Sequence, residues 1–190
     1  TNDYSNGINW EIGCIGGSPN GTKGNCTTGI LFTEINYKSA PFNDAGDWFE
    51  IKNKSNVSYH MKGWQFTDST SGGFVIANDY VLAPNAYLVI AADTLKFKKM
   101  YPHVPNVLGN LNFNLSSLGE RIIIYDSLGA HISLIDYNDS LPWPSYIDNR
   151  GYTMELRYDT SDFHLGNKWF RGCLGGSPGQ AYTTCSDSII

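Results

Sequence analysis

The two ends of this chain repeat one another at a constant spacing. Both copies follow the pattern W-x3-C-[IL]-GGSP-x6-C, and the separation is constant, as 173 minus 14 and 185 minus 26 both give 159. The first copy consists of Asp3, Tyr4, Gly7, Trp10, Gly13, Cys14, Gly16, Gly17, Ser18, Pro19 and Cys26, and the second of Asp162, Phe163, Gly166, Trp169, Gly172, Cys173, Gly175, Gly176, Ser177, Pro178 and Cys185. Such a match predicts a repeated unit of that length.

The repeat divides the chain into three parts. We expect residues 1–26 to be the tail of an upstream repeat with a disulfide loop, residues 27–185 to form one complete module, and residues 186–190 to be a linker. Neighbouring modules of the same parent protein are then expected partners.

All four cysteines fall inside the two copies, at equal spacing. We therefore expect local disulfides, Cys14 with Cys26 and Cys173 with Cys185. A loop this short gains about 3 kcal/mol from its bridge, and such bridges persist in oxidising compartments, so the protein is expected to be secreted or at the cell surface. A zinc site is the alternative, but there is no C-x2-C pair and no histidine in either loop.

Charge and hydropathy exclude some classes of protein. The chain has 13 Lys and Arg against 18 Asp and Glu, a net charge of -5, which is the wrong sign for neutralising phosphates, so we expect no nucleic-acid partner. The longest apolar run, residues 86–92, is too short to span a bilayer.

Between the copies, short β-branched and aromatic runs alternate with Gly, Asn, Asp and Pro, which is typical of a β-sandwich. Strands are predicted at 30–37, 47–53, 63–67, 73–76, 87–92, 121–125, 130–137 and 152–157. One short helix is predicted at 94–101, with Asp93 as its N-cap and Pro102 after its end. Its cluster of Lys96, Lys98 and Lys99 is expected to face solvent, the alternative being contact with an acidic polymer.

An ordered series of motifs resembles the lamin tail domain, in its bacterial secreted type, over residues 30–178. The series comprises Ile35, then WFEIKN at 48–53, KGWQF at 62–66, LAPNAYLVI at 82–90, LGERIIIYDSLG at 118–129, IDY at 135–137 and GYTMEL at 151–156, followed by Trp169 and GGSPG. The resemblance implies an all-β, immunoglobulin-like β-sandwich that is a noncatalytic module, with no cofactor and with tethering or recognition work.

Residues 175–179 match G-x-S-x-G, the nucleophile elbow of serine hydrolases. In that elbow the residue after the serine donates its N–H to the oxyanion, and Pro178 has none. We expect a glycine-rich turn that anchors the disulfide loop.

Glu34 and Glu50, on neighbouring predicted strands, could form a glycosidase pair. A structural role is the expectation for both, and no catalytic residue is predicted.

Trp143 and Tyr146 are the candidate ligand-binding residues, because they lie in a loop-like aromatic segment and aromatic rings stack on sugars. The alternative is that both side chains fold back over the end of the sandwich.

Turn carboxylates and amides could hold calcium, but we expect them to be ordinary turn residues and predict no metal site. They are Asp44, Asp47, Asp136, Asn138, Asp139, Asp148 and Asn149.

The sequence as a whole predicts a monomeric, noncatalytic, exported module that tethers or positions a larger cell-surface protein through contacts with a surface glycan or protein. A carbohydrate-binding module is the alternative, and a hydrolase is third.

Overall fold

A computed structural model describes residues 29–68, 73–159, 162–182 and 185. These residues contain twelve β-strands and one α-helix. In chain order they are β1 (Ile30–Asn36), β2 (Trp48–Asn53), β3 (Tyr59–His60), β4 (Gln65–Thr67), β5 (Gly73–Val75), β6 (Val81–Leu82), β7 (Tyr87–Ala91), α1 (Thr94–Met100), β8 (Val107–Gly109), β9 (Gly119–Tyr125), β10 (His131–Asn138), β11 (Tyr152–Leu156) and β12 (Trp169–Leu174). The first repeat copy, its expected Cys14–Cys26 bridge and the expected linker at 186–190 lie outside the described residues.

The strands form an immunoglobulin-like sandwich, as the sequence predicts. One sheet has six strands in the order β12-β11-β1-β2-β7-β8, and the other has four in the order β10-β9-β4-β5. Strands β3 and β6 form a separate pair. Pairing is antiparallel except between β7 and β8.

Alternation along β2 separates two apolar clusters. Phe49 and Ile51 are buried in the main core between the sheets, where the Phe49 ring lies 5.7 Å from Phe32 and 5.9 Å from Phe66 of the opposite sheet. Trp48 is equally buried but belongs to a second cluster. Because successive side chains of a strand point to opposite faces, Trp48 and Glu50 occupy the outer face of the six-stranded sheet.

Helix α1 covers part of that outer face. The Asp93 carboxylate accepts hydrogen bonds from the backbone N–H groups of Leu95 and Lys96, so the predicted N-cap is confirmed. Phe97 is fully buried, with its ring centroid 5.4 Å from that of Trp48 in an edge-on arrangement. Lys96, Lys98 and Lys99 are exposed, as expected. No helix in the described part of the chain is long and apolar enough to cross a membrane.

Candidate functional site

The second repeat copy completes the six-stranded sheet. Strand β12 pairs with β11 and becomes the outer strand of the sheet, a strand that the sequence analysis did not predict. Trp169, at its start, is buried against Trp143, with ring centroids 5.7 Å apart, and its indole N–H donates to the carbonyl of Phe163. The repeated aromatic residue is therefore part of the core.

Cys173 and Cys185 form a disulfide, with their Cα atoms 5.3 Å apart. The predicted local pairing is confirmed for this copy. The bridge encloses the GGSPG sequence, which we name the strap (residues 175–179).

Three glutamates form a row under the strap. Glu155 on β11, Glu34 on β1 and Glu50 on β2 lie side by side, because Glu34 is in register with both of the others. Each residue is only 1–2% exposed. A bulge in β1 between Phe32 and Glu34 sets two residues opposite one on β2. In consequence the hydroxyl of Thr33 also reaches the outer face, where it donates to Glu50 Oε1 at 2.7 Å.

The strap supplies one hydrogen-bond donor to each glutamate in the row. The backbone N–H of Ser177 donates to Glu34 Oε1 at 3.1 Å, and its hydroxyl donates to Glu155 Oε2 at 2.6 Å. The N–H of Gly179 donates to Glu50 Oε2. At the other end of the strap, the Tyr101 hydroxyl after α1 donates to the Gly175 carbonyl at 2.7 Å. The strap thus links the glutamate row to the helical layer.

Two glycines let the backbone approach the row. A Cβ on Gly172 would lie 1.9 Å from Glu155 Oε1, and one on Gly176 would lie 1.8 Å from Glu34 Oε1. Gly176 also has φ of +70°, where L side chains are disfavoured. Both positions require glycine because the carboxylates occupy the space of a side chain.

Burial shifts the pKa of every member of the row upward. Desolvation raises the pKa of Glu50 to about 8, against the lowering effect of the Gly179 N–H and the Thr33 hydroxyl. Desolvation raises the pKa of Glu34 well above its usual range, and the adjacent Glu155 and Glu50 carboxylates raise it further. The pKa of Glu155 is raised by burial as well. The row is therefore at least partly protonated near neutral pH.

The two motifs that could indicate a hydrolase, the GGSPG sequence and the Glu34–Glu50 pair, contact each other in the structure. Ser177 is 7% exposed, its hydroxyl is bonded to a buried carboxyl group, and a turn rather than a helix follows it. Glu34 and Glu50 are neighbours, as predicted, but the strap lies across them. The sequence analysis missed Glu155 and the contacts between the strap and the carboxyl groups. The alternation of polar and apolar residues predicts single strands, but it predicts neither the order of strands in a sheet nor the path of a loop across it.

A cavity of about 260 Å³ opens beside the strap and the glutamate row. Lys52 contacts Asp159 there, and its ammonium lies 4.8 Å from the centroid of the Tyr87 ring. Tyr158 and Tyr182 also line the cavity. The sequence analysis did not single out this cavity; the only local signal is that Lys52 shares a strand face with Glu50.

The structure separates the two predicted ligand-binding residues. Trp143 is 7% exposed and folds back onto Trp169, whereas Tyr146 is 74% exposed. The guanidinium of Arg150 lies 5.9 Å from the centroid of the Tyr146 ring. Ligand binding by this segment stays a prediction, and in this conformation only the tyrosine ring is accessible.

Asp44 and Asp47, two of the turn carboxylates considered for calcium, make bonds within the protein. Asp47 accepts from the backbone N–H groups of Lys38 and Leu115, and Asp44 pairs with Lys96 at 2.7 Å. Among the described residues, no group of three or more His, Cys, Asp or Glu side chains is arranged to hold a metal ion.

Comparison with known proteins shows the family to which the chain belongs. Among curated proteins, none matches the chain. A solved structure of a DUF4876 family protein from Bacteroides thetaiotaomicron is similar, with a TM-score of 0.51 at 11% sequence identity, covering 86% of this chain and 74% of that chain. At this identity the similarity shows the fold alone. The lamin tail domain model, which describes a noncatalytic immunoglobulin-like domain, matches residues 25–139, more than half of the chain. With its sandwich fold and this match, the chain belongs to the lamin tail domain family.

Proposed function

We propose that this chain is a noncatalytic, exported module that tethers or positions a larger cell-surface protein through protein or polymer contacts. The proposal rests on one observation: the groups that could act in hydrolysis make internal hydrogen bonds. The Ser177 hydroxyl and the Glu34, Glu50 and Glu155 carboxyl groups are engaged in internal hydrogen bonds that hold the strap. Groups committed to holding the fold together are poorly placed for turnover of a substrate.

The disulfide supports export. A bridge between Cys173 and Cys185 persists in an oxidising compartment, and in a reducing cytosol it would open. A noncatalytic family and a fold rich in turns and strand edges also suit a recognition or positioning role.

A binding experiment tests the tethering proposal. The purified chain is mixed with bacterial cell-wall preparations, and its retention is measured after washing, together with release of soluble products. We expect selective retention with no polymer breakdown. Retention no greater than that of an unrelated acidic protein would overturn tethering, and progressive polymer breakdown would overturn the noncatalytic role.

Carbohydrate binding is the second candidate, and the exposure of the Tyr146 ring favours it. A flat ring beside a guanidinium can stack on a sugar and bond its hydroxyl groups. On a glycan array, Tyr146→Ala is expected to lose binding, while Leu128→Ala, which removes a 90% exposed side chain from the β9–β10 turn, is expected to retain it. Equal binding by both variants would contradict recognition through Tyr146.

A further inference from the structure

The cavity beside the strap lies on the outer face of the six-stranded sheet and is lined by both tyrosine rings and polar groups. We propose that this cavity binds one uncharged sugar unit of a cell-surface polysaccharide. The inference rests on the proposed function, because it supplies one of the polymer contacts of a tethering module. Trp143 and Tyr146 do not line the cavity, so the site is separate from the ligand-binding segment that the sequence predicts.

Three parts of the chain enclose the cavity. Its floor is the glutamate row on β11, β1 and β2. One wall is formed by the strap and residues 180–182, and the other by residues 157–159, which follow β11. Hydrogen bonds from Ser177 and Gly179 fix the first wall to the floor, so the cavity is formed before a ligand arrives. Its volume of about 260 Å³ lies just below the range of sites for drug-sized molecules, which suits a single sugar unit.

Three tyrosine rings come to the cavity from different elements. They are Tyr87 of β7, Tyr158 after β11 and Tyr182 after the strap. Tyr158 is 75% exposed, and the other two are half-buried. The Tyr182 ring is held edge-on against Phe170, with ring centroids 4.3 Å apart. Because tyrosine combines an apolar ring with a polar tip, such rings can pack on the C–H face of a sugar and bond its hydroxyl groups.

Polar groups at the cavity both donate and accept hydrogen bonds. The Lys52 ammonium has three N–H donors, and its contact with Asp159 uses one of them. The Asp159 carboxylate accepts, and the amide of Gln180, which also lines the cavity, does both. A sugar hydroxyl group is itself both a donor and an acceptor. Several hydroxyl groups on one ring can therefore satisfy this mixed set of partners.

The charges around the cavity favour an uncharged ligand. An anion would approach the glutamate row, and a cation would approach Lys52 and Arg157. The Lys52 charge is already compensated by Asp159 and by the Tyr87 ring, whose centroid lies 4.8 Å away. Burial, which raises the pKa of the glutamates, leaves the row partly uncharged. A ligand of either charge would thus meet groups of its own sign, whereas a neutral sugar would not.

Titration with oligosaccharides of different charge tests the inference. The purified chain is titrated by calorimetry with neutral gluco-, galacto-, manno- and xylo-oligosaccharides, with anionic oligogalacturonate and with cationic chitosan oligomers. We expect at least one neutral series to bind, and both charged series to bind at least tenfold more weakly. Binding of a charged series alone, or of no series, would overturn the inference. Retention on cell-wall preparations without binding of a neutral oligosaccharide would overturn this inference and leave tethering in place.

Two variants test whether the sugar binds in the cavity. Tyr158→Ala removes a ring, and Lys52→Met removes the ammonium donors but keeps the apolar stem. Each should raise the dissociation constant of the bound oligosaccharide about tenfold. Phe42→Ala is the control, because it removes a ring of similar exposure, 70%, that does not line the cavity. It should leave that constant unchanged.

Tyr158→Ala keeps the inference falsifiable if Lys52→Met fails to fold, because substitutions at exposed positions change stability little. Unfolding midpoints of both variants check this. Equal affinities of Tyr158→Ala and Phe42→Ala for the oligosaccharide would overturn its assignment to the cavity.

Discussion

Three glutamates on one sheet face are costly to bury, and single groups of the strap determine whether they are tolerated. A carboxylate removed from water is stabilised only if it is paired, hydrogen-bonded or protonated. Here Glu34, Glu50 and Glu155 receive donors from Thr33, Thr153 and the strap, and their pKa values are raised. The row is consequently both a source of strap affinity and a source of pH sensitivity.

Stability is predicted to fall as pH rises. A carboxyl group whose pKa is higher in the folded than in the unfolded state contributes stability fully below about pH 4.5 and loses it as pH passes the folded pKa, about 8 for Glu50. We expect the free energy of unfolding, measured with urea, to decrease between about pH 5 and pH 8.5. The isosteric Glu50→Gln variant should show a shallower decrease. Parallel curves for the variant and the wild type would contradict the assignment to Glu50.

Ser177→Ala is predicted to destabilise the protein rather than to remove an activity. The substitution deprives Glu155 of the hydroxyl at 2.6 Å, and a buried polar group that loses its partner costs about 1–3 kcal/mol. Chemical denaturation checks the value. Ser127→Ala, in the exposed β9–β10 turn, is a control expected to change stability by less than about 0.5 kcal/mol. Unchanged stability of Ser177→Ala would contradict the role of the strap.

Most elements could be predicted from local pattern, and the four strands that could not be are either very short or defined by pairing with a distant strand. All eight predicted strands exist, and the predicted helix matches α1 to within one residue. Strands β3, β6 and β8 are only two or three residues long, so alternation has no room to appear. Strand β12 carries glycine and cysteine in place of a β-branched run, and its identity depends on pairing with β11.

At the level of elements, α1 is predicted to be held by one side chain. Phe97 packs on Trp48 and is fully buried, so Phe97→Ala should cost about 3–5 kcal/mol. Lys98→Ala, on the exposed side of the same helix, should leave the free energy of unfolding within about 0.5 kcal/mol of the wild type. Similar costs for the two variants would mean that the helix does not dock on the sheet.

At the scale of the whole molecule, the site is formed by residues that are far apart in the sequence, and no local motif predicts their contacts. Proximity of Glu34 and Glu50 could be predicted because β1 and β2 are consecutive strands. The contact of Ser177 with Glu34 spans 143 positions and depends on the chain placing β11 between β1 and β12. The repeat indicated that residues 162–185 form a unit, but the glutamate row that they contact became visible only in the fold.

The disulfide is predicted to stabilise the whole module, because it holds the second repeat copy and its strap. Replacing Cys173 and Cys185 by serine opens a loop that spans 12 positions, and the expected loss is about 3 kcal/mol. Thermal unfolding in the presence and absence of a reductant provides the measurement. If the reductant lowers the melting temperature of the wild type but not of the double serine variant, the bridge is responsible; a wild type insensitive to reduction would contradict the prediction.

Amide hydrogen exchange of the strap, followed by NMR at about pH 6, tests most directly whether the second repeat copy is an integral part of the sandwich. The backbone N–H groups of Ser177 and Gly179 donate to buried carboxyl groups of Glu34 and Glu50. We predict protection of these two amides comparable to that of core strands β1 and β2. Exchange at the intrinsic rate of an unprotected amide would contradict the account.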